Sequence, residues 1–183
     1  MKRAMLNGKH SPMRRLIRTL LFASALALAA CVSTSPEQPK LVWHKFSFDG
    51  WFDHWAKQVD LLAYSYGNQY RMVQDKVKPP KERMRPQALV NGPMPVGEFL
   101  YVKWRIKATG EVLQNLVDLR PLLPKDMTDY GLTFVPDGRQ LYVYLVTPTA
   151  KHPTDPPLLK TSRSQFYVTY EIYPRNTFPL SQR

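Results

Sequence analysis

Residues 98–119 alternate apolar and polar side chains, and this period of two constrains the fold more than any other feature of the chain. Successive side chains of a strand point to opposite faces, so such alternation predicts a half-buried β-strand. One face carries Leu100, Val102, Trp104 and Ile106, and the other carries Tyr101, Lys103, Arg105 and Lys107. Residues 108–111 include a glycine and are typical of a tight turn, after which a second strand is predicted over residues 112–119. The segment is predicted to be a β-hairpin.

The same pattern occurs twice more towards the C-terminus. A second hairpin is predicted from strands at residues 132–135 and 140–147, joined by a turn at residues 136–139. In its second strand, the two opposite faces carry Leu141, Val143 and Leu145 on one side and Tyr142, Tyr144 and Val146 on the other. A last strand is predicted over residues 165–173, with the two faces formed by Phe166, Val168, Tyr170 and Ile172, and by Tyr167, Thr169, Glu171 and Tyr173.

The first half of the chain has weaker signals. Residues 41–48 alternate, although either register could face inward. Residues 64–75 centre on Gly67 and Asn68, a turn signal that predicts a further hairpin. Residues 76–95 contain five prolines and several cations, and they are predicted to form a long irregular loop. The only helical candidate is short and lies near residues 51–59.

These elements predict a mainly β protein. Seven or eight strands, with turns every 8 to 12 residues, are typical of a single antiparallel β-sandwich or partly closed barrel with at most one short helix. We expect this domain to span residues 41–183, because residues 32–40 are polar, contain two prolines and are typical of a tether. A chain of this length can bury a sufficient core, since domains of about 150 residues bury close to 70% of their unfolded surface.

The N-terminal segment has the form of an export signal. Six basic residues and no acid lie within residues 1–18, and an uncharged run follows over residues 20–30. That run is too short to span a bilayer, which needs roughly 20 apolar residues. The run closes with Leu28, Ala29 and Ala30 before Cys31, which is the only cysteine of the chain. An unlipidated signal peptide or a short membrane anchor would be the alternative interpretations.

Leu28, Ala29, Ala30 and Cys31 resemble the lipobox of bacterial lipoproteins, and the whole segment resembles that of Gram-negative envelope lipoproteins. The resemblance implies that residues 1–30 are removed, that Cys31 is lipidated and that residues 31–40 tether the domain to a membrane. Val32 follows Cys31 where an Asp would favour retention at the inner membrane, so an outer-membrane location facing the periplasm is expected, with inner-membrane retention as the alternative. A lipidated Cys31 would leave no thiol for a disulfide.

The net charge of the chain limits which classes of binding partner are expected. The six basic residues of the leader account for half of the formal net charge of +12, which leaves +6 on residues 31–183. A moderately basic domain is compatible with an acidic envelope or secreted protein, or with anionic lipid and lipopolysaccharide. The charge is dispersed along the chain, so no nucleic-acid partner is expected.

Two groups of side chains are candidates for binding. The cations of the proline-rich segment could dock on phosphate groups or an acidic protein, or could simply be solvated; they include Lys78, Lys81, Arg83 and Arg85. Tyrosines give large contact area at modest entropic cost, although they are also common in strands. If neighbouring strands place Tyr142, Tyr144 and Tyr167 on one outward face, they would form a protein-binding patch.

Residues 48–55 pack four aromatic side chains around Asp49, Asp53 and His54. They could form an acid–base pair or a stacking surface, or the aromatics could fill a core edge while Asp53 caps a short helix. His44, His54 and His152 lack the spacing of a metal site, and no catalytic motif or cofactor-binding motif is found. No catalytic residue, metal or cofactor is therefore predicted.

The leading hypothesis is a membrane-anchored, non-enzymatic module that binds a protein partner or acts as a scaffold. A narrower alternative is an immunity or inhibitor lipoprotein that neutralises a secreted toxin or hydrolase. A hydrolase acting near the cell wall is a third hypothesis, since distant residues could still assemble a site.

Overall fold

The computed structural model describes residues 39–67, 74–76, 84–152, 154 and 159–182. Within these residues, nine strands form two sheets. The five-stranded sheet has the order β4-β1-β7-β8-β9 and consists of β1 (Leu41–Asp49), β4 (Gln87–Pro95), β7 (Gly131–Asp137), β8 (Gln140–Ala150) and β9 (Tyr167–Tyr173). The four-stranded sheet has the order β3-β2-β5-β6 and consists of β2 (Val59–Tyr66), β3 (Gln74–Lys76), β5 (Phe99–Ile106) and β6 (Val112–Asp118).

The mainly β, sandwich-like prediction is confirmed. Helical structure in the described residues is limited to three short 3-10 turns, at Trp55–Lys57, Ser162–Gln165 and Leu180–Gln182. The helix expected near residues 51–59 is therefore a single turn. No helix of the described chain is long and apolar enough to cross a membrane.

The predicted hairpins are present. Strand β5 pairs with β6, and β7 pairs with β8 around Gly138, whose φ of 58° is easily reached only by glycine. Strand β2 pairs with β3, with Tyr64 opposite Asp75, although the predicted turn residue Asn68 lies outside the described residues. Leu100, Val102 and Trp104 are buried, as their alternation predicts.

One prediction about the first half of the chain was wrong. The irregular loop expected over residues 76–95 ends early, because residues 87–95 form β4. Strand β4 lies at the edge of its sheet and pairs only with β1, so Pro93 and Pro95 interrupt no second ladder of hydrogen bonds. The pairing is also not wholly antiparallel, because β1 runs parallel to β7, with Lys45 opposite Gly131.

Aromatic side chains from both sheets fill the core. Phe46 of the five-stranded sheet stacks on Tyr66 of the four-stranded sheet, with ring centroids 5.0 Å apart. Phe48 and Phe134 are neighbours with centroids 4.7 Å apart. Burying a side chain of this size stabilises a fold by roughly 1.5–3 kcal/mol, and aromatic pairs add to that. On one side of the sandwich, Asn115 of β6 donates a hydrogen bond of 2.8 Å to the Tyr173 hydroxyl and joins the sheets.

Strand β9 departs from the predicted alternation. The pairing of β8 with β9 shifts register between Val143 and Tyr144 and again between Val146 and Ala150. Phe166, which was predicted to share a face with Ile172, is exposed just before the strand, whereas Glu171 is buried. The Glu171 carboxylate accepts hydrogen bonds from the backbone and side chain of Arg175, which compensates for its burial.

Candidate functional site

The turn that follows β1 holds two aromatic side chains outward. Asp49, the last residue of β1, accepts hydrogen bonds of 3.1 Å from the backbone N–H groups of both Trp51 and Phe52. Its other carboxylate oxygen accepts a 2.6 Å hydrogen bond from the Gln87 side chain of β4. An Asp that bonds the backbone two and three residues ahead fixes a turn. Trp51 is 57% exposed and Phe52 is 70% exposed.

The base of this turn is tightly packed. Gly50 donates a 2.6 Å hydrogen bond to the Pro86 carbonyl, and a side chain at this glycine would come within 2.9 Å of Pro86 and of the Trp55 ring. Trp55 is buried and contacts the core next to Phe48. The exposed pair therefore rests on a well-packed base, and large exposed apolar side chains grouped together are typical of interaction surfaces.

A second segment reaches the same turn from the C-terminal part of the chain. We call residues 159–165 the strap. The strap lies on the outer face of the five-stranded sheet, which is the face turned away from the four-stranded sheet, because Lys160 lies over the Tyr142 ring and Arg163 lines a groove with Lys45. The Ser162 N–H donates a 2.7 Å hydrogen bond to the Asp53 carboxylate. Burial raises the pKa of Asp53, and the hydrogen bonds from Ser162 only partly offset this effect. The turn and the strap thus support each other.

Lys160 of the strap contributes the positive charge of this region. Its ammonium pairs with Asp137 at the end of β7 and lies 5.3 Å from the centroid of the Tyr142 ring. The hydrogen bond to Asp137 raises the pKa of Lys160. A cation over an aromatic face orients both groups. We call Trp51, Phe52, Arg85, Tyr142 and Lys160 the Trp51 end of the molecule.

The predicted tyrosine patch is not formed. Tyr142 is half-buried and stacks on Tyr144, with centroids 6.3 Å apart. Tyr144 is only 1% exposed, and the strap lies against it, with the Lys160 backbone hydrogen-bonded to the Tyr144 hydroxyl. Burial raises the pKa of Tyr144, and the Glu171 carboxylate adds to this rise. Tyr167 is exposed but pairs with Ala150, at the opposite end of β8 from Tyr142. The prediction was wrong because alternation identifies the outward face but not what covers it.

The predicted cationic segment is only partly described. Arg85 is exposed and precedes Pro86, whose carbonyl bonds Gly50, so Arg85 adjoins the Trp51 turn. Lys78, Lys81 and Arg83 lie outside the described residues. Of the predicted binding residues, the structure therefore brings Arg85 and Tyr142 to the end of the sheet at which Trp51 lies.

The histidines do not combine with these acids. His44 is buried on the inner side of β1, and its Nδ1–H donates to the Val42 carbonyl at 2.8 Å. Since that nitrogen carries the proton, Nε2 accepts from the Tyr66 hydroxyl at 3.0 Å. Burial lowers the pKa of His44 and raises that of Tyr66. Asp53 bonds the strap on the outer side of the sheet, so His44 and Asp53 share no site.

His54 is exposed in the turn and adopts a left-handed φ of 63°. Within the described ranges, no group of three or more His, Cys, Asp or Glu side chains could hold a metal ion. The Asp49 carboxylate accepts hydrogen bonds from backbone N–H groups of the turn, whereas the Asp53 carboxylate accepts from Ser162 of the strap. Asp53 does not cap the short helix as predicted, because the 3-10 turn begins after His54 and has no side-chain cap. Of the two interpretations of residues 48–55, the structure combines both: Phe48 and Trp55 are core residues, whereas Trp51 and Phe52 form an exposed pair.

A shallow groove of about 340 Å³ lies elsewhere on the outer face. Its lining includes Lys45, Leu89, Arg163 and Tyr167. Of these residues, the sequence predicts a binding role only for Tyr167, because the exposure of Leu89 depends on the pairing of β4 with β1.

Comparison of the chain with protein-family models, with curated proteins and with solved structures finds no match.

Proposed function

We propose that this chain is a lipid-anchored envelope protein of the outer membrane, whose periplasm-facing domain binds a partner protein through the Trp51 end without catalysing a reaction. The exposed pair of Trp51 and Phe52, held by the Asp49 carboxylate, is the observation that carries the proposed binding role. The lipobox ending at Cys31 supports the anchor.

The energetics of protein interfaces favour this surface. Binding energy is usually concentrated in a few aromatic and arginine side chains that fill pockets on the partner. Trp51 and Phe52 supply the apolar contact, and the exposed Arg85 supplies positive charge beside it, whereas Lys160 is paired with Asp137. Because the turn is already hydrogen-bonded and packed, less conformational entropy is lost on binding. We expect a partner with an apolar pocket and acidic side chains at its edge.

Crosslinking in intact cells, followed by capture of the native lipidated chain, tests this proposal. The double variant Trp51→Ala/Phe52→Ala is compared with Val112→Ala/Leu116→Ala, which removes exposed apolar side chains from β6 on the other sheet. We expect one stoichiometric protein to be captured by the wild type and the β6 variant and lost with the Trp51 variant. Equal capture by all three proteins would refute the assigned surface.

An inhibitor or immunity role is a narrower form of the same proposal. A preorganised turn that presents two adjacent aromatic side chains suits insertion into the cleft of a secreted enzyme. In that case the captured protein is an enzyme, and its activity falls to zero at one equivalent of the wild-type chain but not of the Trp51→Ala/Phe52→Ala variant. If the enzyme remains active in the saturated complex, the inhibitory role is contradicted, whereas the general binding role is still supported.

A further inference from the structure

Exposed apolar side chains also occur at the other end of the five-stranded sheet. Leu41 and Trp43, at the start of β1, are exposed, with Trp43 at 53%. Phe166 and Tyr167, at the start of β9, are exposed as well. We call these four residues the Trp43 end.

Strand register shows that the four residues share one end of the sheet. Lys45 pairs with Gly131, Gly131 pairs with Val146, and Val146 pairs with Thr169. These residues form one row across β1, β7, β8 and β9. Strand β9 runs in the same direction as β1, because β1 is parallel to β7 and two antiparallel pairings separate β7 from β9. Trp43 and Tyr167 each lie two residues before this row. Three strand spacings place them about 14 Å apart.

Trp43 and Tyr167 also share the outer face. Side chains of a strand alternate between its two faces, so Trp43 lies on the same side of β1 as Lys45, which is two residues further along the strand. Lys45 and Tyr167 line the same groove, together with Ser47 and Gly131. Leu41 lies two residues before Trp43 and therefore on the same side of β1, so an indole, a phenol and a leucine side chain border one end of the outer face.

Positive charge surrounds this apolar group. Lys40 and Lys45 flank Leu41 and Trp43 and are exposed, and Lys151 bonds the Phe166 carbonyl through its backbone N–H. Arg163 lines the groove beside Tyr167. The acids of this region are Asp126, whose carboxylate interacts with Lys40, and Asp129, so cations remain in excess. Trp and Tyr rings bordered by cations are typical of side chains at a membrane–water interface.

The path of the chain leads to the same end. The described structure begins at Pro39, two residues before Leu41 and eight residues after Cys31. The ten residues from Cys31 to Leu41 can span at most about 36 Å when fully extended. A lipid on Cys31 would therefore keep Leu41, at the Trp43 end, within about 36 Å of the bilayer.

We propose that the Trp43 end rests on the phospholipid surface that holds the Cys31 lipid, with Trp43 and Tyr167 at the depth of the headgroups and the lysines next to lipid phosphates. This inference rests on the lipid anchor of the proposed function. Trp51 follows the opposite end of β1, and Asp49 at that end lies roughly 20 Å from Trp43 at the rise of an extended strand. The bound domain would thus direct the Trp51 end away from the membrane.

Fluorescence quenching by brominated lipids tests the inference. The full lipidated chain is reconstituted in vesicles of phosphatidylcholine with a minor fraction of phosphatidylglycerol, with bromine near the headgroup end of the acyl chains. Trp43→Phe is compared with Trp51→Phe, which is a matched control because the two indoles are 53% and 57% exposed. We expect Trp43→Phe to lose most of the bromolipid quenching and Trp51→Phe to retain it.

Quenching that survives in Trp43→Phe, or that is equally distributed between the two tryptophans, would overturn the inference. Labelling of the same samples with a palmitate analogue separates this result from failure of the anchor. If the chain is labelled but Trp43 is not quenched, the lipid anchor is supported and the membrane contact of the Trp43 end is contradicted. If the chain is not labelled, the lipid anchor is contradicted, and the inference that rests on it fails as well.

Discussion

Asp53 connects the pH dependence of stability to the contact between the turn and the strap. Its pKa is raised in the fold, mainly by burial, above the ordinary value of 3.8. Above pH 3.8 the unfolded chain loses this proton first, so the native state binds more protons over the interval up to its raised pKa. The contribution of Asp53 to the free energy of unfolding therefore falls as pH rises through that interval.

Asp53→Asn removes this titration while an amide oxygen can still accept from the Ser162 N–H. We expect the stability of the variant relative to wild type to increase from about pH 3.8 to neutral pH, measured by urea unfolding. Asp126→Asn is a control with a different pH window, because hydrogen bonds from Thr128 lower the pKa of Asp126. Its stability relative to wild type should stay constant above pH 3.8 and should rise as pH falls below that value. A relative stability of Asp53→Asn that stays constant with pH would contradict the expected effect of burial.

At the scale of elements, the strap determines which tyrosine side chains on the outer face are accessible to solvent. Tyr144 is covered by the strap, whereas its neighbour Tyr142 remains half-buried. We expect Tyr144→Ala to lower the free energy of unfolding by about 3–5 kcal/mol, as is typical when a large buried aromatic side chain is removed. Tyr142→Ala should cost clearly less, because it leaves a smaller cavity. Urea denaturation of both variants measures the difference, and equal losses would show that the strap does not seal Tyr144.

Elements with local signals could be predicted from the sequence. Strands β5 and β6 form a hairpin around a short turn, and burial of Leu100, Val102 and Trp104 follows from their alternation. Strand β4 was missed because Pro93 and Pro95 normally exclude a strand, and only its edge position makes them compatible with one. Its position depends on pairing with β1, which is distant in sequence and carries no local signal.

The candidate site could be predicted only in part, for a similar reason. Residues 48–55 stood out as an aromatic segment, but the sequence does not distinguish buried Trp55 from exposed Trp51. That distinction comes from the Asp49 hydrogen bonds and from the contact of Gly50 with Pro86. Tyr144 faces outward as its alternation indicates, yet the strap buries it, and no local pattern predicts where a segment later in the chain will pack.

At the scale of the whole molecule, the sheet has two exposed ends with different proposed tasks. The Trp43 end follows the proposed tether in sequence, and the Trp51 end lies across the length of β1. The proposed anchor depends on one atom, the sulfur of Cys31. Acyl chains contribute about 0.8 kcal/mol per buried CH₂, so two or three chains hold a domain at a membrane.

Cys31→Ser is expected to abolish labelling by a palmitate analogue and to leave an unprocessed precursor, because serine offers no thiol for lipid attachment. Gel mobility and metabolic labelling in cells measure the two effects. Trp51→Phe serves as a control that should be processed normally, since it lies outside the signal. Unchanged labelling of Cys31→Ser would contradict the lipoprotein hypothesis.

The parallel pairing of β1 with β7 has a consequence for how the chain reaches this structure. Lys45 and Gly131 belong to the first and the seventh strands, so the interior of the five-stranded sheet closes only after most of the domain has been synthesised. Contacts between segments so distant in sequence slow folding. Until β7 arrives, β1 has one neighbour and an open edge, and such edges pair readily with other chains. An incompletely folded domain is therefore most prone to aggregate through β1, although β1 lies in the interior of the sheet once folding is complete.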